Sequence, residues 1–167
     1  MIVRAATAAD AAAICAIANP IIRDTVITFN SIEKTPEGVA EEIAAKAPAF
    51  LVAEAETGTG SRVLGFASYT QFRGGAGYVH SMEHTIQLAP EARGQGAGRA
   101  LIAGLEEIGR ARGVHVLVAG VSAGNPMGLA FHAALGFVEV GRMPEVGFKF
   151  GEWLDLVLMQ KILRPAS

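Results

Sequence analysis

Residues 84–104 read HTIQLAPEARGQGAGRALIAG, and this stretch decides the fold. Thr85 to Leu88 are β-type and half apolar, and Ala89-Pro90 ends the strand because proline has no N–H to give to a ladder. Arg93-Gly94-Gln95-Gly96-Ala97-Gly98 follows, and then Leu101, Ile102, Leu105 and Ile108 recur at helical spacing. The unit is therefore strand, glycine turn, helix. Glycines at alternate positions let backbone N–H groups converge without Cβ atoms in the way, and the helix points its positive end at the same place. Such a turn is a cradle for an anion, most often a phosphate. No Lys-Ser or Lys-Thr follows the glycines, as a P-loop requires. The third glycine also comes one residue too early for a dinucleotide fingerprint, and the turn lies in mid-chain rather than after a first strand.

Composition bounds the rest. With 167 residues, 51% of them apolar and 18% charged, the chain is expected to form one domain over residues 1–167 with a sizeable core, and it is not a disordered chain. No apolar run is long enough to span a bilayer, and MIVRAATAAD lacks the apolar region of a signal peptide, so a cytoplasmic protein with no membrane partner is expected. A net charge of −2 without a basic block argues against nucleic acid as a partner. The single Cys15 sits in an Ala/Ile-rich helical stretch and reads as a small packed hydrophobe. His80, His84, His115 and His132 are not spaced as metal ligands, so no metal is expected.

Working outward, Ile2 to Ala5 read as a first strand and Ala8 to Ala18 as a helix capped by Thr7 and interrupted at Asn19-Pro20. Ile21 to Asn30 reads as a loop or extended arm. Thr35-Pro36-Glu37 opens a helix to about Lys46. Phe50 to Ala55 and Val63 to Phe72 form a hairpin, and a glycine-rich loop at 74–77 leads into the strand ending at Leu88. Beyond the long helix, Val114 to Val121 is a buried strand, Asn125-Pro126 starts a helix to Leu135, and Phe137 to Val140 and Trp153 to Met159 are the last strands, around a Gly147/Gly151 connection. The order β-α-α-β-β-β-α-β-α-β-β predicts a mixed α/β sheet with helices on both faces. Periodicity does not give the strand order.

Arg93, Gly96 and Gly98 fill the pattern Arg/Gln-x-x-Gly-x-Gly/Ala, and Asn125 with Phe131-His132-Ala133-Ala134-Leu135-Gly136-Phe137 supplies a second segment at a matching distance. Together they resemble the Gcn5-related N-acetyltransferase superfamily. Phe72-Arg73, Tyr78, Glu83-His84, Met143 to Gly147 and Lys149-Phe150-Gly151-x-Trp153-Leu154-Asp155 resemble its phosphinothricin and methionine sulfoximine (sulfone) acetyltransferase branch. The likeness runs from Ile2 to Ile162. It departs at Val79, at Gly74-Gly75 and at Gln87, close to the implied acceptor pocket. The resemblance implies a mostly antiparallel central sheet of six to seven strands flanked by about four helices, acetyl-CoA as co-substrate, and a homodimer.

It also implies roles. The cradle Arg93, Gly94, Gln95, Gly96, Ala97 and Gly98 binds the coenzyme pyrophosphate, with Arg93 either adding charge or lying in solvent. Strand residues Ile86, Gln87 and Leu88 pair with the pantetheine arm, and a backbone N–H there polarises the thioester. Asn125 caps its helix and also contacts the coenzyme, as does Phe131. Glu83 is the candidate general base, acting through water, or else a salt-bridged or solvated strand carboxylate. His132 stands where many relatives carry a tyrosine that protonates the thiolate, or it only contacts the coenzyme or the helix face. His84 follows the apolar face and reads as structural. Arg73 anchors an acceptor carboxylate or is a surface arginine. Gly74 and Gly75 belong to the implied acceptor side, with Phe29, Tyr78 and Lys149 weaker candidates, Phe29 and Tyr78 reading otherwise as core, and Trp153 and Asp155 read as structural.

The reading is an acetyl-CoA-dependent N-acetyltransferase for the α-amine of a small amino-acid-like acceptor: methionine sulfone, methionine sulfoximine or phosphinothricin. Attack is direct, within a ternary complex, since Cys15 has no base near it in sequence. Two rivals stand beside it. One is an acetyltransferase for protein N-termini or polyamines. The other is a non-catalytic acyl-CoA-binding sensor.

Overall fold

The computed structural model describes residues 1–165. Its elements, in chain order, are β1 (Ile2–Ala5), α1 (Ala11–Asp24), α2 (Pro36–Lys46), β2 (Phe50–Thr57), β3 (Gly60–Gln71), β4 (Ser81–Leu88), α3 (Ala97–Ala111), β5 (Val116–Ser122), α4 (Pro126–Ala134), β6 (Val138–Lys149) and β7 (Glu152–Ile162). They form one seven-stranded sheet in the order β1-β2-β3-β4-β5-β7-β6. The β4–β5 pair is parallel and the others are antiparallel. The expected element order and the mostly antiparallel sheet are both present.

Phe50, Leu51, Val52 and Ala53 are all buried, so both faces of β2 are covered. Leu51 meets α3 at Gly104, where a Cβ would come within 2.8 Å of its side chain. The other face is covered by α1 and α2, which pack on each other. On α3, Leu101, Ile102 and Leu105 are buried. Burying one such side chain contributes roughly 1.5–3 kcal/mol.

Two boundaries differ from the sequence reading. Asn19-Pro20 does not interrupt the first helix: a short 3-10 turn covers Ala8–Asp10 and α1 runs on to Asp24 with Pro20 inside. Pro20 lies on the exposed side, while Ile14, Ile17, Ala18 and Ile22 keep one buried stripe across it. Continuous burial outweighs the hydrogen bond that proline removes. Nor does β6 stop near Val140. It continues through Met143-Pro144-Glu145-Val146-Gly147, where its register against β7 shifts. Glu145 has φ 55°, and its N–H donates to Asp155 Oδ1 at 2.8 Å. The stretch read as a connection is thus a bulge inside the strand.

Two features position the site. The β4–β5 ladder holds only from Ser81↔Val116 to His84↔Ala119. Past that point β4 stays paired with β3 and β5 with β7, so the strands part and leave a gap in mid-sheet. The second feature is the segment between α1 and α2, residues 25–35, which has no ladder of its own. Asn19 closes its base, giving Nδ2–H to Lys34 O at 2.9 Å and accepting Lys34 N–H at 2.7 Å.

Candidate active site

Within β4 the side chains alternate: Glu83, Thr85 and Gln87 on one face, His84, Ile86 and Leu88 on the other. The backbone alternates too. Phe72 N–H donates to Ser81 O at 2.9 Å and Ala89 N–H to Leu64 O at 2.8 Å, which fixes the odd-numbered residues as those bonded to β3. Beyond the end of the β5 ladder, Ile86 and Leu88 therefore turn their N–H and C=O groups into the gap.

Two cavities open there. One, of about 230 Å³, is lined by Phe29, Glu83, Gly120, Ser122 and Leu156 among others. The second, of about 430 Å³, runs over the glycine turn and is lined by Leu88, Arg93, Gly94, Gly96, Gly98 and Phe131 among others. They share Ile27, Ile86, Gln87, Asn125 and His132.

The turn is built as its glycines require. Gly94 and Gly96 have φ of 76° and 82°, the left-handed region that side chains disfavour. The first carbonyl used by α3 is Gly96 O, bonded by Ala100 N–H at 3.0 Å. The N–H groups of Ala97, Gly98 and Arg99 therefore have no carbonyl within the helix to bond. A Cβ on Gly98 would lie 2.9 Å from the Phe131 ring and 3.3 Å from Leu88 Cδ1, so this glycine lets α3, α4 and β4 close on one another. These features fit a pyrophosphate. Asn125 Oδ1 accepts Gly128 N–H at 3.0 Å and caps α4, as the sequence suggests.

Glu83 is half-buried and forms no ion pair among the described residues, which leaves its salt-bridged reading without a partner. Burial alone raises its carboxyl pKa. A carboxylate so placed is a poised proton acceptor.

The two buried histidines meet. His84 Nε2 lies 2.9 Å from His132 Nε2, and His132 Nδ1 lies 2.7 Å from Gly128 O. A carbonyl only accepts, so in the neutral pair His132 carries its proton on Nδ1 and its Nε2 accepts from His84. His84 Nδ1 is buried with no hydrogen bond of its own, although the Val118 carbonyl acts on the ring and partly offsets the fall in its pKa. Burial, and then the charge that His132 would carry, hold the His84 pKa down at about 3. Burial lowers that of His132 as well.

The sequence-derived acceptor residues divide. Phe29 lines the smaller cavity beside Glu83. Arg73, Gly74, Gly75 and Tyr78 do not line it; they form an exposed loop between β3 and β4. There the Arg73 guanidinium lies 5.5 Å from the Tyr78 ring centroid, and Gln71 Nε2 donates to the Arg73 and Gly75 carbonyls at 2.7 and 3.0 Å. Lys149, another weaker candidate, is buried in β6 and donates to the carbonyls of Thr25 and Thr28. Gly120 had no part in the sequence reading. A lone glycine inside an apolar strand run marks a close approach, and that signal was present. Among the described residues no group of three or more His, Cys, Asp or Glu is arranged to hold a metal ion.

Comparison with known proteins agrees with this geometry. Residues 20–137 match the model of the acetyltransferase (GNAT) family. The chain belongs to this family. It is 38% identical to the L-methionine sulfoximine/L-methionine sulfone acetyltransferase of Pseudomonas aeruginosa, over 98% of this chain and 95% of that protein. A ribosomal-protein-alanine N-acetyltransferase from Brucella melitensis superposes with a TM-score of 0.90 at 42% identity, covering 98% of this chain and all of that one. A phosphinothricin acetyltransferase from Sinorhizobium meliloti, solved in complex with acetyl-CoA, superposes with a TM-score of 0.88 at 33% identity, covering 97% and 88%. GNAT membership thus makes the chain an acyltransferase on the fold that the sequence likeness implies.

Proposed function

We propose that this acetyltransferase uses acetyl-CoA to acetylate the α-amine of a small amino-acid-like acceptor of the methionine sulfone, methionine sulfoximine or phosphinothricin type. The observation that carries the reading is the arrangement of β4. One strand bears Glu83 at the smaller cavity, an unpaired backbone edge at Ile86 and Leu88, and the glycine turn at its far end. The names of the Pseudomonas and Sinorhizobium relatives support the acceptor class.

In this reading the N–H groups of Ala97, Gly98 and Arg99 bind the pyrophosphate, with Arg93 and Gln95 at its margin. Gln87, Asn125 and Phe131 line the donor's path. The pantetheine amides continue the sheet along Ile86 and Leu88, and a backbone N–H there stabilises the oxyanion. Glu83 takes the ammonium proton through water. The neutral amine then attacks the thioester carbon within a ternary complex, the C–N bond forms and the C–S bond breaks, and the proton shed by the attacking nitrogen passes to the thiolate, so that coenzyme A leaves as the thiol. His132 has both ring nitrogens bonded, which favours its role as wall and helix-face anchor over that of acid for the thiolate. Phe29 packs against the acceptor's side chain. Arg73, with Tyr78 and the Gly74-Gly75 loop, meets the acceptor carboxylate from outside the cavity.

The protein works in the cytoplasm, where acetyl-CoA is available, as a homodimer of single-domain chains. Support for the dimer lies at the β6–β7 hairpin end, where Phe148, Phe150 in the turn and Trp153 are exposed and the Phe148 and Trp153 rings lie 4.7 Å apart. Light scattering checks it: Trp153→Glu yields monomers, and an unchanged mass sinks the assignment.

One other acceptor has support. The Brucella neighbour bears a name for acetylation of a protein N-terminus, which is also an α-amine. Polyamines have less, since Glu83 is the single carboxylate lining the smaller cavity. A thiol-release assay over methionine sulfone, methionine sulfoximine, phosphinothricin, ordinary amino acids, alanyl peptides and polyamines decides. Turnover restricted to peptides or polyamines overturns the proposal, and binding of acetyl-CoA without turnover on any amine makes the protein a sensor.

A further inference from the structure

Lys149 is the most deeply buried amine in the chain, 3% exposed, and it sits on β6, away from both β4 and the glycine turn. Its Nζ donates to Thr25 O at 2.6 Å and to Thr28 O at 2.8 Å. These two carbonyls bracket Val26 and Ile27, and Ile27, Thr28 and Phe29 all line the smaller cavity. Two residues earlier on β6, Gly147 leaves the space that the Phe29 ring fills; a Cβ there would overlap the ring. Alternation along the strand puts Gly147 and Lys149 on the buried side, with Phe148 facing out between them.

The segment has little else to fix it. Three of its own hydrogen bonds are short side-chain turns that span two residues and set local direction only: Ile27 N–H to Thr25 Oγ1, Asn30 N–H to Thr28 Oγ1 and Ile32 N–H to Asn30 Oδ1. The Thr25 hydroxyl also donates to Ile21 O at 2.7 Å, which ties the start of the segment to α1 and not to the sheet. The Asn19–Lys34 pair holds the base of the segment but not the part that reaches the cavity. On the opposite side, a Cβ on Gly124 would lie 3.1 Å from a Val26 methyl group, so the glycine makes room for it. The bonds tying residues 25–28 to the sheet thus come from one ammonium. A bond from a charged donor is stronger than a neutral one, and loss of the donor leaves two part-buried carbonyls unpaired.

We infer that Lys149 is a positioning residue for the acceptor. From β6 its ammonium holds the Thr25 and Thr28 carbonyls, while Gly147 seats Phe29, and together they set the part of the cavity wall that Ile27, Thr28 and Phe29 form. This rests on the reading of that cavity as the acceptor site. Acceptor affinity is then governed by a side chain that does not itself line the cavity.

The test is Lys149→Met, which keeps the length of the aliphatic stem and removes the donor. With methionine sulfone as acceptor, its KM should rise about tenfold or more while the Kd for acetyl-CoA, measured calorimetrically, moves less than about threefold. A merely destabilised protein would lose both together. Hydrogen exchange should quicken over residues 25–30 in the free protein and stay unchanged over β4. Gly147→Ala, which displaces Phe29 and leaves the ammonium in place, should raise the acceptor KM in the same way, and it serves if Lys149→Met does not fold. An unchanged acceptor KM in both variants, where the wild type turns over, overturns the inference and leaves the proposed function standing. No wild-type turnover on any amino acid overturns the proposed function. In that case the exchange measurement still decides the clamp, and unchanged exchange over 25–30 overturns it.

Discussion

Glu83 Oε1 lies 3.1 Å from the point where a Cβ on Gly120 would stand. The two residues occupy neighbouring strands at the mouth of the gap, so the missing side chain of one makes room for the carboxylate of the other. Gly120→Ala is expected to displace that carboxylate and lower kcat/KM about tenfold or more, with acetyl-CoA binding kept within about twofold. Steady-state kinetics alongside calorimetry checks this. Full turnover in the variant means that the reaction does not depend on where Glu83 sits.

Glu83→Gln should lower turnover by about 10²–10⁴-fold with little effect on acetyl-CoA binding. It should also stabilise the protein at neutral pH. Burial raises the carboxyl pKa of Glu83, so ionisation costs folding free energy once pH passes through that raised value. Unfolding in denaturant at neutral pH should favour the Gln variant, and the advantage should vanish below the ordinary glutamate pKa, where both side chains are neutral. The acidic limb of kcat/KM in the wild type should lie above that ordinary value. A Gln variant that is less stable at neutral pH contradicts the burial argument.

The histidine pair predicts an acid sensitivity of its own. His84 takes a proton in the unfolded chain near 6.5 but in the folded one only at about 3. Stability is therefore full above about 6.5 and falls with pH through that window, by about 1.4 kcal/mol per pH unit for such a group. His84→Phe should unfold with a shallower dependence on pH between about 6 and 4. Parallel curves for variant and wild type would show that His84 is charged in the folded state.

The contact between Gly98 and Phe131 can be tested as a pair. Gly98→Ala should weaken acetyl-CoA binding about tenfold, because the added methyl forces α3 and α4 apart at the mouth of the cradle. In a Phe131→Ala background the same change should cost much less. A double-mutant cycle measures that coupling, and additive effects would place the loss elsewhere.

Much of this was legible in the sequence because the informative signals are local. Proline after Leu88, alternate glycines and an apolar helical period mark strand, turn and helix without any partner strand. Cap chemistry marks Thr35 and Asn125 in the same way. Pro20 misled, since its local rule was outweighed by the stripe of Ile14, Ile17, Ala18 and Ile22 packing on the sheet. The bulge at Met143 to Gly147 was hidden because its Pro-Glu-Val-Gly composition is that of a connection, and what keeps it in β6 lies on the facing strand, in the Met143↔Leu156 and Gly147↔Leu154 pairs and the Asp155 carboxylate. The site divided along the same line. Residues of β4 and of the glycine turn that line the cavities lie close together in sequence and were legible there. The His84–His132 contact spans 48 positions and the Lys149–Thr25 bond 124, and no periodicity reports a meeting at that separation.

The parting of β4 from β5 also bears on how the molecule holds together. Four register pairs, from Ser81↔Val116 to His84↔Ala119, join the four strands on one side of the seam to the three on the other. A donor that bonds to the open edge at Ile86 and Leu88 adds rungs where the polypeptide has none. Its binding therefore couples to the cooperativity of unfolding, and loss of the donor leaves the two halves of the sheet freer to separate.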